Sequence, residues 1–154
     1  MEIEIIENKK QNLYVYKNDD LSFYSTIHVN WTNRNIKIYN QDDNLLLNVK
    51  VQTLLFKTTY KILFQSELMN KAVSNITDYH IFFDQNKNLK LSLNNFSFNP
   101  NFSYFLGETK IAYVKQKIWS SLQKITLYID DENLEFLDQI IIHLLVKKTG
   151  FNLN

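Results

Sequence analysis

The stretch from Asp130 to Gly150 constrains this chain most, because it is apolar on nearly every side. Phe136, Leu137, Ile140, Ile141, Leu144 and Leu145 recur at helical spacing, with Ile142 and Val146 filling much of the remaining circumference. Acids Asp130, Asp131, Glu132 and Glu135 crowd its start and Lys147-Lys148 close it, the charge order that a helix dipole favours. Capping of the first turn accounts for those carboxylates without invoking a calcium site. The spacing predicts a helix over about 132–149, roughly 17 residues and 25 Å long, with Gly150 as a left-handed stop and Phe151 packed back on Val146. A helix apolar nearly all round must be buried nearly all round. Interrupted by Asp138, Gln139 and His143, it is too short to span a bilayer alone.

Upstream the period is two. From Leu13 to Ile129 apolar and polar residues alternate in short runs rich in β-branched and aromatic side chains, which predicts strands within 13–129. The runs are 13–17, 21–31, 35–39, 45–51, 60–65, 79–83, 89–93, 102–106, 110–115 and 124–129. Asn and Asp clusters at 18–20, 40–44 and 84–88 supply turns, and Leu106-Gly107-Glu108-Thr109 a tighter one. A shift of 44 residues lays Ile38–Val49 on Phe82–Leu93 with the apolar pattern kept, predicting two equivalent hairpins. A meander followed by one very apolar helix is explained by a mainly β (α+β) single domain over 1–154. Its antiparallel barrel or curved sheet wraps around that helix.

Composition narrows function mainly by exclusion. With 17 basic and 16 acidic residues, and one arginine at position 34, bulk or bidentate nucleic-acid binding is disfavoured. No cysteine means no thiolate metal site, disulfide or cysteine nucleophile, and two Gly leave no glycine-rich phosphate loop. Asn-x-Ser/Thr triplets start at Asn30, Asn75, Asn95 and Asn101, where about two would arise by chance in so Asn-rich a chain, and they are glycan sites only in a secreted protein. The opening Met1 to Glu7 carries acids where a signal peptide needs a basic start, so a cytoplasmic location is expected.

The hairpin Lys37 to Leu46 and the stretch Ile111 to Val146 carry a resemblance. The former looks like a strand, polar turn, strand opening. In the latter, Ile111 to Lys117 looks like a penultimate strand, Ile125 to Ile129 like a last strand and Phe136 to Val146 like a central helix. In these the chain resembles the tubby C-terminal-like superfamily, in its LURP-one-related and phospholipid-scramblase-like branch. The resemblance implies a β-barrel enclosing a helix and, for tubby proteins themselves, phosphoinositide head groups bound by surface cations.

No catalytic or metal constellation stands out. His28, His80 and His143 fall on separate elements, and His143 reads as a core imidazole bonded to a backbone carbonyl. The aromatic groups Phe82-Phe83, Phe96/Phe98 and Phe102/Tyr104/Phe105 read as core. Lys57, Lys61, Lys115 and Lys117 are the candidate ligand residues; i and i+2 on a strand share a face, so Lys115 and Lys117 could present two ammonium groups to one anion, and Lys57 and Lys61 form an i, i+4 pair. The expectation is a non-enzymatic intracellular interaction domain without a cofactor, binding another protein. The alternative is a peripheral membrane domain that takes anionic phospholipid head groups through surface lysines.

Overall fold

The computed structural model describes residues 1–94, 101–117 and 121–150. Its strands are β1 (Glu2–Glu7), β2 (Leu13–Lys17), β3 (Asp20–Asn30), β4 (Asn33–Asn40), β5 (Leu45–Leu54), β6 (Lys57–Gln65), β7 (Val73–Ile76), β8 (His80–Phe83), β9 (Lys87–Leu93), β10 (Asn101–Leu106), β11 (Thr109–Lys117) and β12 (Lys124–Ile129). A 3-10 segment, Asp131–Phe136, leads into α1, Leu137–Lys148. The strands form one antiparallel sheet in the order β6-β5-β4-β3-β2-β1-β12-β11-β10-β9-β8-β7. It curls into a nearly closed barrel around α1.

Alternation sets which side of each strand faces the helix. Val15, Ile5 and Ile125 lie opposite one another on β2, β1 and β12 and are fully buried, as are Leu127 and Val114 on β12 and β11. Ten strands fall where the sequence places them; β1 and β7 do not, so strands begin before residue 13. In β1, Glu2-Ile3-Glu4-Ile5 alternates cleanly, with Glu2 and Glu4 pointing outward, while Glu7 at its end is buried and accepts from Gln123 N–H. In β7 a register irregularity between Val73 and Asn75 puts the two buried residues, Val73 and Ile76, three apart, which erases the period-two signal.

The helix is shorter and differently begun than expected. Only 137–148 is α-helical, 12 residues, or about 18 Å at the usual rise. The preceding 3-10 turn winds the chain tightly from the wall into the interior. The carboxylates are not side-chain caps: neither Asp130 nor Phe136, the residue before each helical segment, makes a cap bond. Instead Glu135 pairs with Lys71 at 3.2 Å and Asp138 with Lys17 at 3.5 Å, tying the helix start to the wall. Ile140, Ile141, Leu144, Leu145 and Val146 are fully buried, so the helix is the core of the barrel. At its end Thr149 donates its backbone N–H to Leu145 C=O, and Gly150 has φ +73°; Phe151 lies outside the described residues.

The repeat gives two hairpins that are not equivalent. Tyr39 pairs with Leu45, but Phe83 pairs with Lys87, so the second turn is tighter by two residues. Ile38 points inward whereas its counterpart Phe82 does not, because β8 presents Ile81 and Phe83 to the core. Phe102 and Tyr104 are also core, Phe82 and Phe105 are half-buried, and Phe96 and Phe98 lie outside the described residues.

Closure happens at a seam between β6 and β7. Among the described residues no backbone ladder joins these strands, which stand at opposite ends of the sheet order. Side chains bridge them. The Gln65 amide accepts from Val73 N–H at 2.6 Å and donates to Val73 C=O at 3.0 Å, while Tyr60 Oη donates to Asp78 at 2.6 Å.

Candidate functional site

Antiparallel order puts alternate turns at alternate ends of the barrel. The end where α1 starts carries the turns Asn18-Asp19, 41–44, 84–86 and Gly107-Glu108; the end where it finishes carries Trp31-Thr32, Leu55-Phe56 and 77–79. Charge is divided in the same way. Asp19, Asp42, Asp43, Asp84, Glu108 and Glu132 gather at the first end, and Lys9, Lys10, Arg34, Lys57 and Lys147 at the second. Lys17, Lys71, Lys87 and Lys110 also lie toward the first end and Glu7 and Asp78 toward the second, so acids outnumber cations at the one and cations outnumber acids at the other.

The second end also carries three side chains that the fold leaves in solvent. Trp31 is 97 %, Leu55 94 % and Phe56 104 % exposed relative to a free residue. Leu54 pairs with Lys57, so Leu55 and Phe56 are the two residues of a tight hairpin turn, with φ +47° and +67°. Positive φ at both positions is the type I′ geometry, for which Asn-Gly is preferred. Asn18-Asp19 makes the same turn with φ +50° and +67°, using side chains suited to it. Trp31, φ +53°, opens a second two-residue turn between Asn30 and Asn33. Asn33 pairs with Gln52, which sets the two hairpin tips side by side on adjoining pairs of strands. Bulky residues at left-handed positions are strained, and here no packing offsets the strain.

The candidate lysines separate into two patches. Lys57 and Lys61 project from the outer face of β6 below the Leu55-Phe56 tip, and Lys61 stands directly opposite Lys50 on β5. Among the described residues no carboxylate lies within ion-pair distance of Lys50, Lys57 or Lys61. Lys115 and Lys117 belong to another flank, on β11. There they line a concavity of about 540 Å³ that also holds Glu2, Glu4 and Lys124, with Lys124 bonded to Glu4 at 3.0 Å. Lys115 sits over the rings of Tyr113 and Tyr128 at 5.8 and 5.6 Å. That flank is charge-compensated, whereas the β5–β6 face is not.

Inside the barrel, His143 on α1 is fully buried. Its Nε2 lies 2.9 Å from Thr77 C=O, an acceptor, so Nε2 carries the proton and the other nitrogen, Nδ1, accepts from Tyr104 Oη at 2.8 Å. Burial holds the imidazole down at about 3 and pushes the Tyr104 hydroxyl well up, so both are neutral. Lys147 donates to Asp78 C=O and lies over the Tyr79 ring at 5.3 Å, its own pKa lowered by burial. Burial first and then the Asp78 bond raise the Tyr60 hydroxyl. These contacts anchor the 77–79 turn to α1 and β6. Among the described residues no three of His, Cys, Asp and Glu converge as a metal site. Among the described residues no helix is long and apolar enough to cross a membrane.

Trp31, Leu55 and Phe56 are the residues that sequence reasoning missed. The available signal was the run Leu54-Leu55-Phe56, which lacks the Asn, Asp or Gly found in the turns at 18–19, 41–44, 84–86 and 107–108. Set against family models, curated proteins and solved structures, the chain matches none.

Proposed function

We propose that this domain is a non-enzymatic docking module that attaches to anionic lipid bilayers through the hairpin tips at the end where α1 finishes. The observation that carries the reading is the placement of Trp31, Leu55 and Phe56, bulky, fully exposed and in strained turn positions. Transferring such a side chain out of water contributes about 1.5–3 kcal/mol when complete. Each lysine near an anionic surface adds about 1 kcal/mol. Three apolar side chains on two hairpin tips, with Lys57 adjoining the Leu55-Phe56 turn, thus reach the several kcal/mol typical of reversible attachment. The acidic opposite end would orient the barrel with its tips toward the lipid.

The barrel around a central helix is the architecture that the tubby-like resemblance implies, and it supports that assignment as part of the same proposal. Lys57 and Lys61 remain candidate head-group residues, while Lys115 and Lys117 lie on the charge-compensated flank. A protein partner is favoured by a different feature, the edge of β6, which side chains and no backbone ladder join to β7 among the described residues.

Vesicle sedimentation tests the reading. The protein should pellet with vesicles of phosphatidylcholine plus phosphatidylserine, less so as salt rises, and not with phosphatidylcholine alone. Trp31→Ser with Phe56→Ser should stay folded and lose pelleting. Binding untouched by that variant, or no binding to anionic vesicles at low salt, would overturn the proposal.

A further inference from the structure

We infer that the seam edge of β6 accepts an extended acidic segment of a partner protein as an added β-strand. β6 has nine residues while β7 beside it has four, and among the described residues no backbone ladder covers the β6 edge. Unpaired backbone groups along a strand are a template for another chain. Among the described residues side chains alone cover the edge, Gln65 bonding Val73 and Tyr60 Oη bonding Asp78, and an incoming strand would displace them. Tyr60 and Ile62 point inward yet are only half-buried, whereas Val51 and Val49, their partners on β5, are fully buried. What holds the seam is telling. The Gln65 primary amide occupies both Val73 N–H and Val73 C=O, the pair of bonds that a strand backbone makes, so a side chain stands in for a missing peptide.

Charge selects the occupant. Lys57 and Lys61 project from the outer face of β6, and Lys50 faces Lys61 directly across the β5 ladder, a like-charge pair that is unfavourable in the free protein. A second copy of this chain pairing through β6 would bring more lysines to the same row. An extended segment with acids at alternate positions would place them beside that row and its β-branched residues toward Tyr60 and Ile62. This inference rests on the backbone edge and not on the hairpin tips, so it stands or falls separately from bilayer attachment.

The test uses the full chain, without lipid, and three blocked octapeptides: alternating Glu-Val, alternating Lys-Val, and a Glu peptide with proline at every second position. The Glu-Val peptide should bind about tenfold more tightly than the Lys-Val peptide, as two or three opposite-charge cross-strand pairs allow. It should also slow amide hydrogen exchange along 57–64. The proline peptide carries the same charge but cannot form a ladder, and should bind at least about tenfold more weakly than Glu-Val. Lys61→Glu, an exposed substitution, should reduce the preference for Glu-Val over Lys-Val. Equal affinity for the Glu-Val and proline peptides, protection on strands other than β6, or no binding would overturn the inference.

Discussion

Replacing Leu55-Phe56 with Asn-Gly should make the protein more stable and unable to bind a bilayer. Both residues have positive φ, +47° and +67°, and both are exposed almost to the limit, so the fold loses no packing when they go. The left-handed conformation costs a bulky L-residue about 1–2 kcal/mol, and two such positions store a few kcal/mol. Asn tolerates the conformation and Gly adopts it freely, although Gly gives back about 0.5–1 kcal/mol through its greater freedom in the unfolded chain. The net gain is about 1–2 kcal/mol. For a chain of this length that raises the melting temperature by about 2–8 °C. Thermal melting followed by circular dichroism, beside vesicle sedimentation of the same preparation, reads both effects. A melting temperature that falls, or pelleting that persists at the wild-type level, would refute the view that strain at this turn is retained for the sake of its apolar side chains.

Acid should destabilise the protein through His143. The buried ring titrates near 3 against 6.5 in the unfolded chain, so between those values the unfolded state binds a proton that the folded state does not. Stability therefore falls as pH drops from about 6.5 toward 3, by about 2–3 kcal/mol at pH 4.5. Urea titrations at pH 7 and 4.5 should show a smaller acid loss for His143→Gln than for wild type; equal losses would remove the ring from the pH response. Ile141→Ala with Leu145→Ala empties two fully buried positions of α1. At about 2–5 kcal/mol each, it should give insoluble protein or protein without a cooperative melt. A sharp melt with retained strand signal would contradict the helix as the core.

The barrel was legible because two periodicities and one switch between them encode it. Inward alternation along Ile36-Lys37-Ile38 or Val49-Lys50-Val51, and a helix with no polar face, leave few ways to bury both. β7 was hidden by its irregular register. The helix start was misread because acids at a helix N-terminus suggest caps, while Glu135 and Asp138 form ion pairs with Lys71 and Lys17, distant in sequence. The site was harder. Lys57 and Lys61 share a face by simple strand periodicity, but only strand order separates them from Lys115 and Lys117. Leu55 and Phe56 fall in the gap between the expected strands 45–51 and 60–65, and only the register of Leu54 with Lys57 shows them to be a two-residue turn.

The most direct measurement follows Trp31 itself. With Trp119 replaced by Phe, Trp31 is the sole indole of the chain, and in free protein its full exposure should give a red-shifted emission. Adding phosphatidylserine-containing vesicles should shift that emission to the blue and make it quenchable by lipids brominated on their acyl chains, with both effects fading as salt rises. Emission that stays red and unquenched while the protein pellets would show that the tips do not enter the bilayer and would contradict attachment through them.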